Sequence, residues 1–351
     1  MIDRDSTIPL YMQLAELIRT QIRSGEIQVG DKLPSESEMI KKYHLGRLTI
    51  RDSLSILVNE GLIEKHHGKG TFCKSNGVSQ KHKIDVSLNM SDISFTPYFL
   101  RSICDVLDSQ NVDILLSDTQ DNMDTICSVL EKALAEGSNG IIFQPTSDCD
   151  IASDRMVSLL KQLENANIPY IMIDAYYKNV PSSYIVMNEI SAGKMAAEYF
   201  LSLGHTDLCM IEQSTNTDSL LRMEGLEKAC PVPPCRIEYD SNLEGSIKEL
   251  INNGKNITGI FCYNDGVAKK CYEILNKLKI SIPDDISIIS IDDTIIASTL
   301  FPTLTSIVHP KEYMGRAAAE AMISILKGDS TWPYMKVFEP ALAVRKSCKQ
   351  L

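Results

Sequence analysis

Apolar residues in the first 73 positions recur mostly every three or four residues. From residue 84 onward they gather into short runs separated by amphipathic stretches of helical length. In the first region Leu10, Leu14, Leu17, Ile18 and Ile22 follow Pro9, which suits a first-turn position, and Gly25 supplies a stop. The turn Gly30-Asp31-Lys32-Leu33-Pro34 leads into a second helix, where Ser35 and Glu38 form a capping-box signature. A third helix is predicted from Arg47 to Glu60, with Ile50, Leu54, Leu57 and Val58 inward and Gly61 ending it. Leu62 to His66 and Thr71 to Cys73 read as strands joined through His67-Gly68-Lys69-Gly70, a small hairpin.

The second region alternates. Apolar runs beginning at Ile84, Val112, Gly140, Tyr170, Asp207, Gly259 and Ser287 have strand length, and the amphipathic stretches between them complete a βαβα pattern. Its 268 residues suit two α/β lobes with parallel sheets better than one sheet. No convincing internal repeat or low-complexity segment is evident. The polar stretch from Lys74 to Lys83 reads as a linker, which divides the chain into a head (1–74), a linker (75–83) and a body (84–351).

Charge sharpens this division. The formal net charge of −11 seems to oppose any contact with nucleic acid. Residues 1–83, however, carry 13 Lys and Arg against 10 Asp and Glu, a net of +3, and the rest carries −14. No run of about 18 apolar residues suggests a membrane span, and the charged start Met1-Ile2-Asp3-Arg4-Asp5 does not resemble a signal peptide, so a cytoplasmic location is expected. The ten cysteines show no C-x-x-C pair, so reduced thiols acting as small hydrophobes are expected, with no metal and no cofactor.

Arg47 and Arg51 lie four apart on one face of the third helix, with Thr49 beside them near its N-terminal end, where a recognition helix meets base edges and phosphates. The hairpin adds Lys65, His66, His67 and Lys69 around two glycines. The series Pro9-Leu10-Tyr11, Gly30-Asp31-x-Leu33-Pro34-Ser35-Glu36, Arg47-x-Thr49-Ile50-Arg51, Glu60-Gly61-Leu62-Ile63 and Gly68-Lys69-Gly70-Thr71-Phe72 resembles the winged helix-turn-helix head of GntR-family transcription regulators. The resemblance implies DNA contacts by Arg47, Thr49, Arg51, His67, Gly68 and Lys69. Two departures bear on operator sequence: Ser37 stands where the family commonly has Arg, and Gly46 where it has Ser or Thr.

In the body, Gln144, Asp174, Asn264, Asp265, Asp292 and Asp293 follow apolar runs, where open α/β sheets place a ligand crevice, and Arg222 is read as opening a helix before Gly225. Amides, carboxylates and an Arg suit a polyhydroxylated ligand, whose hydroxyls both donate and accept. Phe95 can stack on a sugar ring or simply pack in the core. Gly140-Ile141-Ile142, Arg222-x-x-Gly225, Tyr263-Asn264-Asp265, Ile282-Pro283-Asp284-Asp285 and Leu304-Thr305-Ser306-Ile307 resemble the effector domain of LacI/GalR-family regulators. A GntR-type head on such a body resembles arabinose-responsive repressors of Gram-positive bacteria. The resemblance implies sugar contacts by Arg222, Asn264 and Asp292, then by Asp174, Gln144 and His309. Such relatives tend to have Glu at Gln144, Asn at Asp174 and Asp-Asp at Asn188-Glu189, so the effector is expected to be arabinose or another pentose or related polyol.

The expected function is a sugar-responsive repressor that binds operator DNA as a homodimer. The dimer surface is sought on the body, where the helix from Phe99 to Leu107 is either that surface or intradomain core. The alternatives are an enzyme-like or cofactor-binding body behind a GntR-type head, opposed by the lack of a phosphate-loop, HExxH or G-x-S-x-G motif, and a transporter's binding protein, opposed by the head.

Overall fold

A computed structural model describes every residue except 1, 5, 7, 67, 76–80, 111, 149 and 253–256. It divides into two units, Met1–Lys81 and His82–Leu351.

The first unit contains α1 (Leu10–Arg23), α2 (Glu36–Tyr43) and α3 (Arg47–Asn59), followed by the antiparallel pair β1 (Ile63–His66) and β2 (Gly70–Cys73). Leu14, Ile18 and Ile22 of α1 bury one stripe in a common core with Ile50, Leu54 and Leu57 of α3. Val58 is exposed, contrary to expectation, because one step past Leu57 turns its side chain about 100° off that stripe. Pro9 sits just before α1 rather than within its first turn, and its carbonyl accepts the Met12 and Gln13 amides. Both halves of the capping box form: the Glu38 amide donates to Ser35 Oγ at 3.3 Å and the Ser35 amide donates to Glu38 Oε2 at 2.7 Å. Gly46 leaves α3 without a side-chain cap. Between β1 and β2, Gly68 adopts φ 73°, a left-handed conformation that side chains disfavour.

The second unit runs β3 (Lys83–Leu88), α4 (Thr96–Asp108), β4 (Asp113–Asp118), α5 (Met123–Ala135), β5 (Gly140–Phe143), α6 (Asp154–Asn165), β6 (Tyr170–Ile173), β7 (Tyr184–Met187) and α7 (Glu189–Ser202). It continues with β8 (Leu208–Glu212), α8 (Thr217–Ala229), β9 (Cys235–Glu238), α9 (Leu243–Asn252), β10 (Gly259–Cys262), α10 (Asp265–Lys277), β11 (Ser287–Ile291) and α11 (Ile295–Thr299). The last elements are β12 (Thr305–Val308), α12 (Lys311–Lys327), β13 (Met335–Phe338) and β14 (Ala341–Ala343). They build two six-stranded sheets, ordered β13-β7-β6-β5-β3-β4 and β14-β12-β11-β10-β8-β9. Five strands correspond in order and direction, and only the edge strands differ, β13 running parallel to β7 and β14 antiparallel to β12, so the two lobes repeat one architecture although no repeat is visible in the sequence. Buried strands need only apolar residues, which many sequences supply.

Both faces of each sheet are covered. Helices α5 and α6 pack on one face of the first sheet, and α9 and α10 on one face of the second. The opposite faces, under α4 and α12 and under α7 and α8, share a third apolar core. Phe99, Ile103 and Leu107 of α4 are wholly buried there, so that stripe is intradomain core. Among the described cysteines Cys73, Cys127, Cys209, Cys262 and Cys271 are buried. Among the described residues no helix is long and apolar enough to cross a membrane.

The chain passes between the lobes three times: at Asn188, at His309-Pro310 and at Glu339-Pro340. The first and third passages are cross-linked. The Asn188 amide donates to the Phe338 carbonyl at 2.8 Å, and Asn188 Nδ2 donates to Glu339 Oε1 at 3.0 Å.

A polar cleft between the lobes and a basic helix face

The strand ends of the two lobes face each other across a cavity of about 280 Å³. That lies near the lower end of the roughly 300–1,000 Å³ range of small-molecule sites. Nearly every lining side chain is polar; Phe95 supplies the main apolar surface. In the first lobe Asp174 ends β6 with φ 75°, and in the second Asp292 ends β11 with φ 103°. Each amide donates at 2.9 Å to the neighbouring strand, Asp174 to Ile185 and Asp292 to Ile307. Side-chain residues rarely adopt this conformation, and it recurs here at equivalent positions that both point a carboxylate at the cavity.

The first-lobe wall is a hydrogen-bonded chain. The Asn89 amide donates to Gln144 Oε1 at 3.1 Å, Gln144 Nε2 donates to Asp174 Oδ2 at 2.9 Å, and His309 Nε2 lies 3.1 Å from Asp174 Oδ1. His309 is buried at the second interlobe passage, with Phe95 and Phe99 edge-on at 4.9 and 6.0 Å. Phe95 therefore both faces the cavity and braces the histidine.

Arg222 dominates the second-lobe wall. It is buried, its Nε donates to Glu189 Oε2 at 2.6 Å, and its Nη1 donates to the Tyr263 carbonyl at 2.9 Å. It lies inside α8, not at its start as the sequence suggests, because Asn216 caps the helix by accepting the Ser219 amide. Asp218, four residues earlier, shares the cavity-facing side of that helix. Burial and then Glu189's charge push the Asp218 carboxyl well above the usual range, with Arg222 opposing. Burial pushes Asp292 up to about 7, against the pull of Arg222. Asn264 caps α10 through its Oδ1, which accepts the Val267 amide at 2.9 Å, and lines the cavity.

All seven expected ligand residues, Phe95, Gln144, Asp174, Arg222, Asn264, Asp292 and His309, line this one cavity. Asp265 and Asp293 do not. Asp265 is buried, accepting from Ser290, Thr294 and Ser306, and Asp293 pairs with Arg345 at 2.6 Å. Sequence reasoning missed Asp218 and Tyr263 as cavity residues, and it marks Glu189 only through the Asn188-Glu189 departure, not as the partner of Arg222. The four-residue spacing of Asp218 and Arg222 signals the first, but nothing local signals that Glu189 reaches Arg222 from a helix 33 positions away.

In the first unit Arg47, Thr49 and Arg51 occupy the first turns of α3. Arg47 and Arg51 are exposed, and Arg51 Nε lies 2.9 Å from Glu36 Oε2. Gly68 and Lys69 lie exposed in the turn between β1 and β2; His67 falls outside the described residues.

Residues 10–73 match the family described as bacterial regulatory proteins, gntR family, and residues 197–348 match a periplasmic binding protein-like domain. Two relatives named arabinose metabolism transcriptional repressor align almost throughout. The one from Halalkalibacterium halodurans is 27% identical over 96% of each chain, and the one from Geobacillus stearothermophilus 28% identical over 99% of this chain and 100% of its own. The body also superimposes on a LacI family transcriptional regulator from Enterococcus faecium with bound ribose, at TM-score 0.64 and 22% identity, over 77% of this chain and 99% of that one. The chain thus joins a gntR-type helix-turn-helix head to a periplasmic-binding-protein-like body.

Proposed function

We propose that this chain is a cytoplasmic, sugar-responsive transcriptional repressor that binds operator DNA as a homodimer and is released by a small sugar, a pentose such as L-arabinose or a related polyol. The carrying observation is the cleft: a cavity of pentose-compatible size, bounded by strand ends of two lobes and lined by acids, amides and one guanidinium. Such a set matches hydroxyls that donate and accept at once. Phe95 offers a ring face, and Arg222, Asn264, Asp292, Asp174, Gln144 and His309 are the polar partners. The full-length relationship to repressors of arabinose metabolism supports the same role.

The exposed start of α3, with Arg47, Thr49 and Arg51, contacts base edges and phosphates, and His67, Gly68 and Lys69 of the hairpin turn contact the backbone. The head spans 1–74 and the body 84–351, with 75–83 as the linker that transmits lobe closure. A sugar releases DNA only through its different affinity for the two states of the body, so affinity alone does not ensure induction. A panel of pentoses and hexoses is screened by thermal shift, followed by mobility shift on the gene's own upstream DNA. A pentose that raises the melting temperature and releases the DNA is expected; no shift with any sugar contradicts the proposal.

A further inference from the structure

The cleft's charges are unbalanced in a way that bears on ligand class. Among the described residues five aspartates line it, of which burial pushes Asp218 and Asp292 toward their neutral form, and Arg222 and His309 are the basic groups. Both basic groups already have carboxylate partners: His309 has Asp174 at 3.1 Å, and Arg222 has Glu189 at 2.6 Å, in a pair whose side chains are each 5% exposed. Lys311, just behind the wall, donates its ammonium to the Asp292 carbonyl and lies 5.2 Å from the Phe95 ring centre.

The state of Arg222 decides what it offers. Nε is taken by Glu189 and Nη1 by the Tyr263 carbonyl, while the guanidinium lies 5.0 Å from the Tyr263 ring centre. A carboxylate or phosphate recognised by arginine typically takes two parallel N–H groups from one edge of the fork. The Nε edge is occupied, so an anion can engage this guanidinium only through its Nη1–Nη2 end, where Nη1 already donates to the Tyr263 carbonyl. The Arg222 charge that would attract an anion is compensated inside the protein by Glu189.

Glu189 sits where it can hold this arrangement. It is the first residue of α7, directly after Asn188 at the first interlobe passage. Its carboxylate therefore reaches Arg222 from a backbone position fixed by the hydrogen bond between Asn188 and Glu339 at 3.0 Å.

We propose that Glu189 is a specificity-determining residue of the cleft: by pairing with Arg222 it restricts the effector to uncharged sugars and excludes sugar phosphates and sugar acids. This rests on the sugar-binding role proposed above and adds the residue that sets the charge class. Glu189 acts through Arg222 and needs no contact with the ligand.

The test uses the full chain, with calorimetric titration of D-ribose, L-arabinose, ribose 5-phosphate and L-arabinonate into the wild type, Glu189→Gln and Glu189→Asp. The wild type is expected to bind its preferred neutral pentose at least about a hundredfold more tightly than the matching anion, since like-charge juxtaposition is strongly disfavoured. Glu189→Gln, which keeps the shape and removes the charge, is expected to shrink that ratio at least about tenfold, chiefly by gaining anion affinity. Glu189→Asp, which keeps the charge, is expected to retain the exclusion. A merely structural role would weaken all ligands together and leave the ratio unmoved; that result, or a wild type that binds the anions equally well, overturns the inference. If Glu189→Gln does not fold, Glu189→Asn is read in the same way. Competition in the wild type needs no variant, and displacement of bound pentose by equimolar ribose 5-phosphate overturns the proposal. A wild type that binds none of these compounds and no sugar of the pentose and hexose panel removes the sugar-binding role and this inference together, whereas pentose binding with an unchanged ratio in the variants removes only the inference.

Discussion

Asp292 and Arg222 show how single residues tune the cleft. Asp292 keeps its proton in the folded chain up to about pH 7, whereas the unfolded chain releases it in the ordinary carboxylate range near pH 4. Folding therefore takes up a proton between these values. The stability this contributes is complete below the unfolded value and is lost as pH rises through 7. The ligand-free protein is expected to lose melting temperature over that interval, and Asp292→Asn to flatten the slope, as followed by calorimetric scans from pH 4 to 8. A sugar hydroxyl that donates to the ionised Asp292 favours proton loss, so pentose affinity is expected to be higher at pH 8 than at pH 6. Arg222→Ala leaves Glu189 buried without its cation and is expected to cost about 3–5 kcal/mol in urea unfolding, besides abolishing the sugar-induced thermal shift.

At the scale of elements, α7 and α8 cross at two glycines. A Cβ on Gly193 would lie 1.8 Å from the Arg222 carbonyl oxygen, and one on Gly225 would lie 2.0 Å from that of Ile190. Either alanine substitution must part the helices, with a destabilisation of about 1–3 kcal/mol or more expected in urea unfolding. It is also expected to weaken pentose binding, because Glu189 and Arg222 meet across this same crossing. In the head, Arg51→Ala removes an exposed ion pair with Glu36 and is expected to change stability by less than about 1 kcal/mol. Operator binding is expected to disappear while the sugar-induced melting shift stays intact; equal loss of both contradicts separate modules.

Elements also show what was legible in the sequence. Strands β5, β6, β10 and β11 are buried at every position, and their continuous apolar runs announce them. The edge strands β9 and β13 expose two and three of their four residues, so Cys235-Arg236-Ile237-Glu238 and Met335-Lys336-Val337-Phe338 carry no such signal. The same limit applies to the cleft. Polar residues at strand ends, such as Gln144 and Asp174, are readable from position alone. Glu189 owes its role to a contact between distant helices, which spacing along the chain cannot encode.

For the whole molecule, three passages between lobes make closure and site geometry one problem. His309 lies on the second passage and pairs with Asp174, while Asn188 precedes Glu189, which holds Arg222. A sugar bound to both walls therefore favours one lobe orientation over another, and its inducing power equals its affinity difference between them, tenfold for each 1.4 kcal/mol. The net charge of +3 on head and linker, against −14 on the body, leaves few phosphate contacts per head, so operator binding is expected to fall steeply with salt. If two heads together make six to ten phosphate contacts, the loss between 50 and 200 mM salt is about a thousandfold or more. Anisotropy titrations across that range measure the slope, and a nearly flat slope contradicts paired heads. The most direct test of the central claim is a titration of the pentose that most stabilises the body into a preformed complex of the full chain with labelled DNA from its own upstream region. Dissociation over the same concentrations that saturate the cleft is expected, whereas DNA that stays bound at full pentose saturation contradicts the account.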